Sequence, residues 1–125
     1  MRAEDYFRGK VYVWKETFAI IKSKKELSNA FAVIKDKKEI TAIVDQSKID
    51  NNAIEIEKDW KILTFDVVLP FGLVGFLSKI SKALADEGIS IFVISAYSTD
   101  HILVKSKDFQ KAVNKLKSLG FTVEL

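Results

Sequence analysis

The sequence predicts a mixed α+β sandwich in which two helices cover one face of a four-stranded antiparallel sheet. Three observations in its second half carry this: an alternating apolar run, two apolar stripes at helical spacing that each end in glycine, and β-branched segments between them. Residues 60–69 (WKILTFDVVL) place Leu63, Phe65, Val67 and Leu69 on one face, the period of a half-buried strand. Pro70, Phe71 and Gly72 break that run. Leu73, Phe76, Leu77, Ile80, Ala83 and Leu84 then recur at helical spacing, with Ser78, Lys79, Lys82 and Asp86 mostly opposite. Gly88 stands where a left-handed residue closes a helix. Residues 89–96 are rich in β-branched and aromatic side chains and predict a central strand. A polar segment, 97–100, leads into a further short strand at 101–105. A second amphipathic helix carries Phe109, Ala112, Val113, Leu116 and Leu119, Gly120 ends it, and 121–125 alternates as a last strand. The order is β-α-β-β-α-β, the split βαβ plan of a ferredoxin-like sandwich.

The first half echoes that rhythm more weakly. Residues 18–22 are strand-like, and Ser23-Lys24-Lys25-Glu26 has the capping-box pattern that predicts the start of a short helix. Residues 31–34 and 40–44 flank a polar turn as a hairpin does. Residues 45–52 have room for one or two helical turns, 53–57 alternates, and 11–14 predicts an added edge strand. The expected organisation is therefore a degenerate unit over residues 1–58 followed by a complete unit over residues 59–125.

Composition excludes several function classes. Hydrophobic residues make up 48% and charged residues 30%, a globular balance. Apolar stretches such as 67–69 and 91–94 are too short to span a bilayer. The segment MRAEDYFRGK carries acids where a signal peptide needs an apolar run, and cysteine is absent, so a cytoplasmic, reducing setting is expected and no membrane partner. Lys and Arg number 20 against 17 Asp and Glu, interspersed along the chain, with Arg2 and Arg8 the only arginines. That pattern reads as a solvated surface and not as a nucleic-acid footprint.

An inventory of reactive groups predicts no catalytic residue. A Cys–His pair is impossible without cysteine. A Ser–His–Asp triad would need His101, but its neighbour Asp100 points to the opposite face of a strand. No spacing resembles a metal site, so no metal and no cofactor is expected. Gly72 and Gly75 have the wrong spacing for a phosphate or dinucleotide loop. Phe92 and Tyr97 lack the glycine-rich basic motif that accompanies RNA-stacking aromatics.

Two polar irregularities remain, at adjacent strand ends. In Pro70-Phe71-Gly72-Leu73-Val74-Gly75 the glycines permit close backbone approach, and the helix beginning beyond offers free N–H groups suited to a carboxylate. In Ser95-Ala96-Tyr97-Ser98-Thr99-Asp100, Asp100 could pair with an ammonium or guanidinium group. Together they would recognise both ends of a zwitterion. The competing reading is that the glycines only allow helix–sheet packing and the second segment is an ordinary turn.

At these residues the chain resembles a known family. The run 72–92, GLVGFLSKISKALADEGISIF, resembles the helix-and-strand core of ACT domains. With 93–104, VISAYSTDHILV, it is similar to the aspartate-kinase-like tandem ACT group, to which eukaryotic cytosolic arginine sensors also belong. The resemblance covers about residues 60–120. It departs at Ala96, where that group often carries threonine, so one hydroxyl contact is missing. What the resemblance implies is effector binding at an interface between ACT units, without catalysis. The backbone of Phe71, Gly72, Leu73, Val74 and Gly75 would hold one end of an amino-acid ligand. Ile94, Ser95 and Thr99 would line the site, and Asp100 would take a cationic group. A homodimer is the expected assembly and a regulated enzyme a candidate partner; the alternative is a ligand-free protein-interaction module of the same fold.

Overall fold

The computed structural model describes residues 2–125. In chain order its strands are β1 (Lys10–Val13), β2 (Phe18–Ser23), β3 (Ala32–Lys35), β4 (Ile40–Asp45), β5 (Ala53–Asp66), β6 (Ile91–Ser95), β7 (Asp100–Lys105) and β8 (Thr122–Glu124); its α-helices are α1 (Phe76–Asp86) and α2 (Phe109–Leu119). The chain divides into a larger unit, residues 2–15 with Lys61–Leu125, and a smaller one, Glu16–Trp60. The division expected after residue 58 thus falls after Trp60, and residues 2–15 join the C-terminal unit, not the N-terminal half.

In the larger unit the sheet runs β8-β1-β5-β7-β6. Its last six elements follow the βαββαβ order, and the addition is β1. Expected as an edge strand, β1 lies between β5 and β8, antiparallel to the first and parallel to the second. Val11 opposes Phe65 and Val13 opposes Leu63, so the short apolar alternation fits a central position. Val11 is fully buried. The helices pack on the face that carries Val11, Leu63, Phe65, Ile102 and Val104; Phe76, Ile80 and Leu84 of α1 and Ala112, Val113 and Leu116 of α2 complete that core.

Both helices stop where glycine predicts. At α1 the Ile89 N–H reaches the Leu84 carbonyl at 3.0 Å and the Gly88 N–H reaches that of Ala85 at 2.9 Å, with Gly88 at φ +74°. This is the paired-bond arrangement that satisfies a helix's last carbonyls. At the other end α1 begins at Phe76, three residues after the apolar stripe, because Gly75 adopts φ +89° and breaks the helical path. Likewise β5 ends at Asp66 and not at residue 69.

The smaller unit orders its strands β3-β4-β2-β5, with every neighbour antiparallel. This is also the strand order of a βαββαβ unit, but the two helix positions depart from that plan. The second is one 3-10 turn, Gln46–Lys48, capped by Asp45, whose Oδ1 accepts the Ser47 N–H at 3.0 Å. The first, expected from Ser23, is absent. Ser23 is the last residue of β2, and its hydroxyl bonds the Lys25 carbonyl at 2.7 Å, while Glu26 pairs with Lys35 at 3.4 Å. The side chains that would have formed a capping box are thus otherwise engaged. The β3–β4 hairpin turns on Asp36, whose carboxylate accepts the N–H groups of Lys38 and Glu39, and those bonds hold its pKa below the ordinary range. Ala19, Ile21, Ala42 and Val44 form this unit's own core, with Leu27, Ala30 and Ile49 packed on it. Among the described residues no helix is long and apolar enough to cross a membrane.

Candidate functional site

Beyond Asp66 the chain leaves the sheet, and residues 67–75 lead to the N-terminus of α1. The β6–β7 hairpin turns back through residues 96–99, closed by the Ser95–Asp100 strand pair and by an Ala96 N–H to Thr99 carbonyl bond of 2.8 Å. Between these segments lies an open groove of about 400 Å³.

The groove brings together six of the nine residues expected from sequence: Phe71, Leu73, Gly75, Ser95, Thr99 and Asp100. Gly72, Val74 and Ile94 are not part of its lining. Val74 is 84% exposed, and Ile94 sits opposite His101 in the β6–β7 ladder. Sequence reasoning missed Val67 and Leu69, Ser78 in the first turn of α1, and Tyr97, which also line the groove. Tyr97 had a signal, an aromatic inside a polar hairpin, and its ring meets Phe71 edge-on at 5.2 Å. Both rings are more than four-fifths exposed.

The walls differ electrically. No side chain caps α1, whose N-cap Gly75 lines the groove together with Phe76, Leu77 and Ser78, so the positive end of the helix dipole lies at that wall. On the other wall Asp100 is the one charged side chain in the lining. A Cβ built on Gly72 or Gly75 would meet nothing within 4 Å, so neither glycine exists to let a helix and sheet approach. Gly72 is not in a left-handed conformation, and Gly72→Ala should leave stability unchanged or raise it by up to about 1 kcal/mol. A clear fall in urea midpoint would restore the packing explanation.

Behind the groove runs a buried polar chain. The Trp14 indole N–H donates to Thr64 Oγ1 at 2.8 Å, Thr64 Oγ1 lies 2.8 Å from His101 Nδ1, and His101 Nε2 lies 3.2 Å from Thr99 Oγ1. Thr64 is fully buried and His101 nearly so. Burial holds the imidazole pKa below its ordinary 6.5, partly countered by the Asp100 carboxylate. His101 is therefore a sheet-face histidine, as its strand position predicts, and it reaches the groove through Thr99.

These features define a βαββαβ domain with an open groove between the N-terminal end of α1 and the β6–β7 hairpin. The ACT domain model matches residues 55–118, and the chain belongs to that family. The human protein CASTOR3P is 35% identical over 60 residues, which are 48% of this chain and 36% of that protein, so the chain aligns with about a third of the relative's length. The solved structure of VC0802 from Vibrio cholerae superposes with a TM-score of 0.77 at 20% identity, covering 94% of each chain. The regulatory subunit of aspartate kinase from Thermus thermophilus gives 0.64 at 11% identity, covering 87% of this chain and 95% of that one. At such identities the two structures share the fold.

Proposed function

We propose that the chain is an amino-acid-binding regulatory module and not a catalyst, working in the cytoplasm as a homodimer. The ligand's carboxylate would lie against the Gly75 turn and the first amides of α1, and its cationic end on Asp100. The observation that carries this reading is the groove's polarity: uncapped amides on one wall, a lone carboxylate on the other, and open space before both glycines. The smaller unit reads as a degenerate second ACT repeat, because it keeps the strand order and lacks full helices. A regulated enzyme is the natural partner for such a module.

The test is calorimetry and thermal shift against each standard amino acid. A basic or small zwitterionic amino acid should bind and raise the melting temperature. Asp100→Asn should then weaken it about 10- to 150-fold, the loss of a charge-assisted bond of about 1.5–3 kcal/mol. No response to any amino acid would sink the ligand reading. A second reading, a ligand-free interaction module, is favoured by the exposed Val68, Phe71, Val74 and Tyr97, which are 77–86% accessible. A dimer in sedimentation that ignores every amino acid would select it.

A further inference from the structure

We propose that His101 is a proton-controlled positioning residue: its neutral imidazole braces the Thr99–Asp100 side of the groove, and its protonation loosens that brace and the grip on a cationic ligand. The proposal's last step, the ligand, rests on the amino-acid reading above; the brace itself does not.

One tautomer gives the chain a single direction. An indole N–H can only donate, so Thr64 Oγ1 accepts from Trp14, and in the Nε2–H tautomer of His101 it turns its own proton toward Nδ1. The remaining ring proton is then on Nε2, aimed at Thr99 Oγ1. Thr99 lines the groove, and Asp100 is the next residue. The chain thus links the buried hydroxyl of Thr64 to the hairpin that carries the groove's only charged side chain.

Protonation rewrites this arrangement. With both ring nitrogens donors, Thr64 must turn its O–H away so that Oγ1 accepts from both Trp14 and Nδ1–H, and a full charge then sits on a nearly buried ring, which favours its leaving the sheet face. Several titratable and charged groups lie on the strands about the ring, Lys10 of β1 and Glu124 of β8 among them. Asp100 precedes it on β7, and Lys105 follows four residues along the same face. On β5, Asp66 shares the face of Thr64 and is exposed, β6 presents the uncharged Ile94, and Tyr12 of β1 lies beside Trp14. Asp100 is the neighbour that favours imidazolium, and the pull of the new cation on Asp100 competes with any cationic ligand. The pKa lies below 6.5, so the brace is intact at neutral pH and lost as the medium acidifies through the lowered value.

Nuclear magnetic resonance of the isotope-labelled, ligand-free chain between pH 7.5 and 4.5 tests the brace. The Trp14 indole N–H and the amides of Ala96 and Asp100 should shift with the same midpoint as the His101 ring protons, below 6.5, in wild type and in Asp100→Asn. In His101→Gln, which keeps a neutral hydrogen-bonding side chain, these shifts should vanish. A His101 titration that leaves the hairpin amides still, or one with a midpoint at or above 6.5, overturns the proposal. A second arm uses L-arginine as probe. Its affinity should fall at least fivefold between pH 7.5 and 5 in wild type and stay level in His101→Gln. Equal losses in both overturn the functional step. No binding at either pH overturns the amino-acid reading, with the resonance arm still deciding the brace.

Discussion

Phe65→Ala should lower the unfolding free energy by about 3–5 kcal/mol, the cost of deleting a large buried aromatic and leaving a cavity. Phe65 is fully buried on β5 and faces both helices. Its ring meets Phe76, the first residue of α1, edge-on at 5.7 Å, and Phe121, just after α2, at 5.2 Å. Phe76 and Phe121 meet each other at 6.2 Å, and Phe7 contacts both. Removing the central ring therefore strips packing from the start of one helix, the end of the other and the N-terminal segment together. Against a domain stability of about 5–15 kcal/mol the loss is a large fraction. Urea unfolding followed by tryptophan fluorescence measures it, with Phe71→Ala as the control. Phe71 is 81% exposed, and its loss should change stability by less than about 0.5 kcal/mol. A Phe65→Ala effect below about 1.5 kcal/mol would mean that the aromatic cluster is not the keystone of this core.

Much of this core was legible because it is written locally. Phe76, Ile80 and Leu84 mark one helix stripe, and Gly88 and Gly120 mark its end and the end of the next, each within a few residues of the stripe it closes. The insertion of β1 was not legible. Val11 and Val13 announce a strand, but their pairing with Phe65 and Leu63 is set fifty or more positions away, and no spacing within four residues encodes it. The missing helix after Ser23 failed for a related reason: the capping-box residues are present, but strand pairing of Ser23 with Ile40 and Ala53 holds the backbone extended. In the candidate site, the two loops stood out because glycines and hydroxyls interrupt apolar runs. The brace through His101 stayed hidden, because Trp14 and Thr64 reach it only through strand register. Local chemistry thus pointed to the groove, and long-range pairing placed what stands behind it.

Gly120→Ala should destabilise the chain by roughly 2–5 kcal/mol, for two separable reasons. Gly120 adopts φ +120°, where a residue with a Cβ is strained by about 1–3 kcal/mol. A Cβ there would also collide with the backbone carbonyl oxygen of Phe7, which cannot swing aside as a side chain can, so backbone must shift at a similar cost. The position also closes α2: the Phe121 N–H reaches the Leu116 carbonyl at 3.2 Å and the Gly120 N–H reaches that of Lys117 at 3.0 Å. Displacing Phe7 would disturb its contacts with Phe76 and Phe121, so the substitution strikes the same cluster as Phe65→Ala from its edge. Gly88→Ala separates the terms. Gly88 also has positive φ and closes α1 with the same bonds, but a Cβ there meets nothing within 4 Å. It should cost only the conformational part, about 1–3 kcal/mol. Equal losses at the two glycines, measured by urea unfolding, would show that the Phe7 carbonyl yields freely and that the helix-closing conformation alone requires glycine.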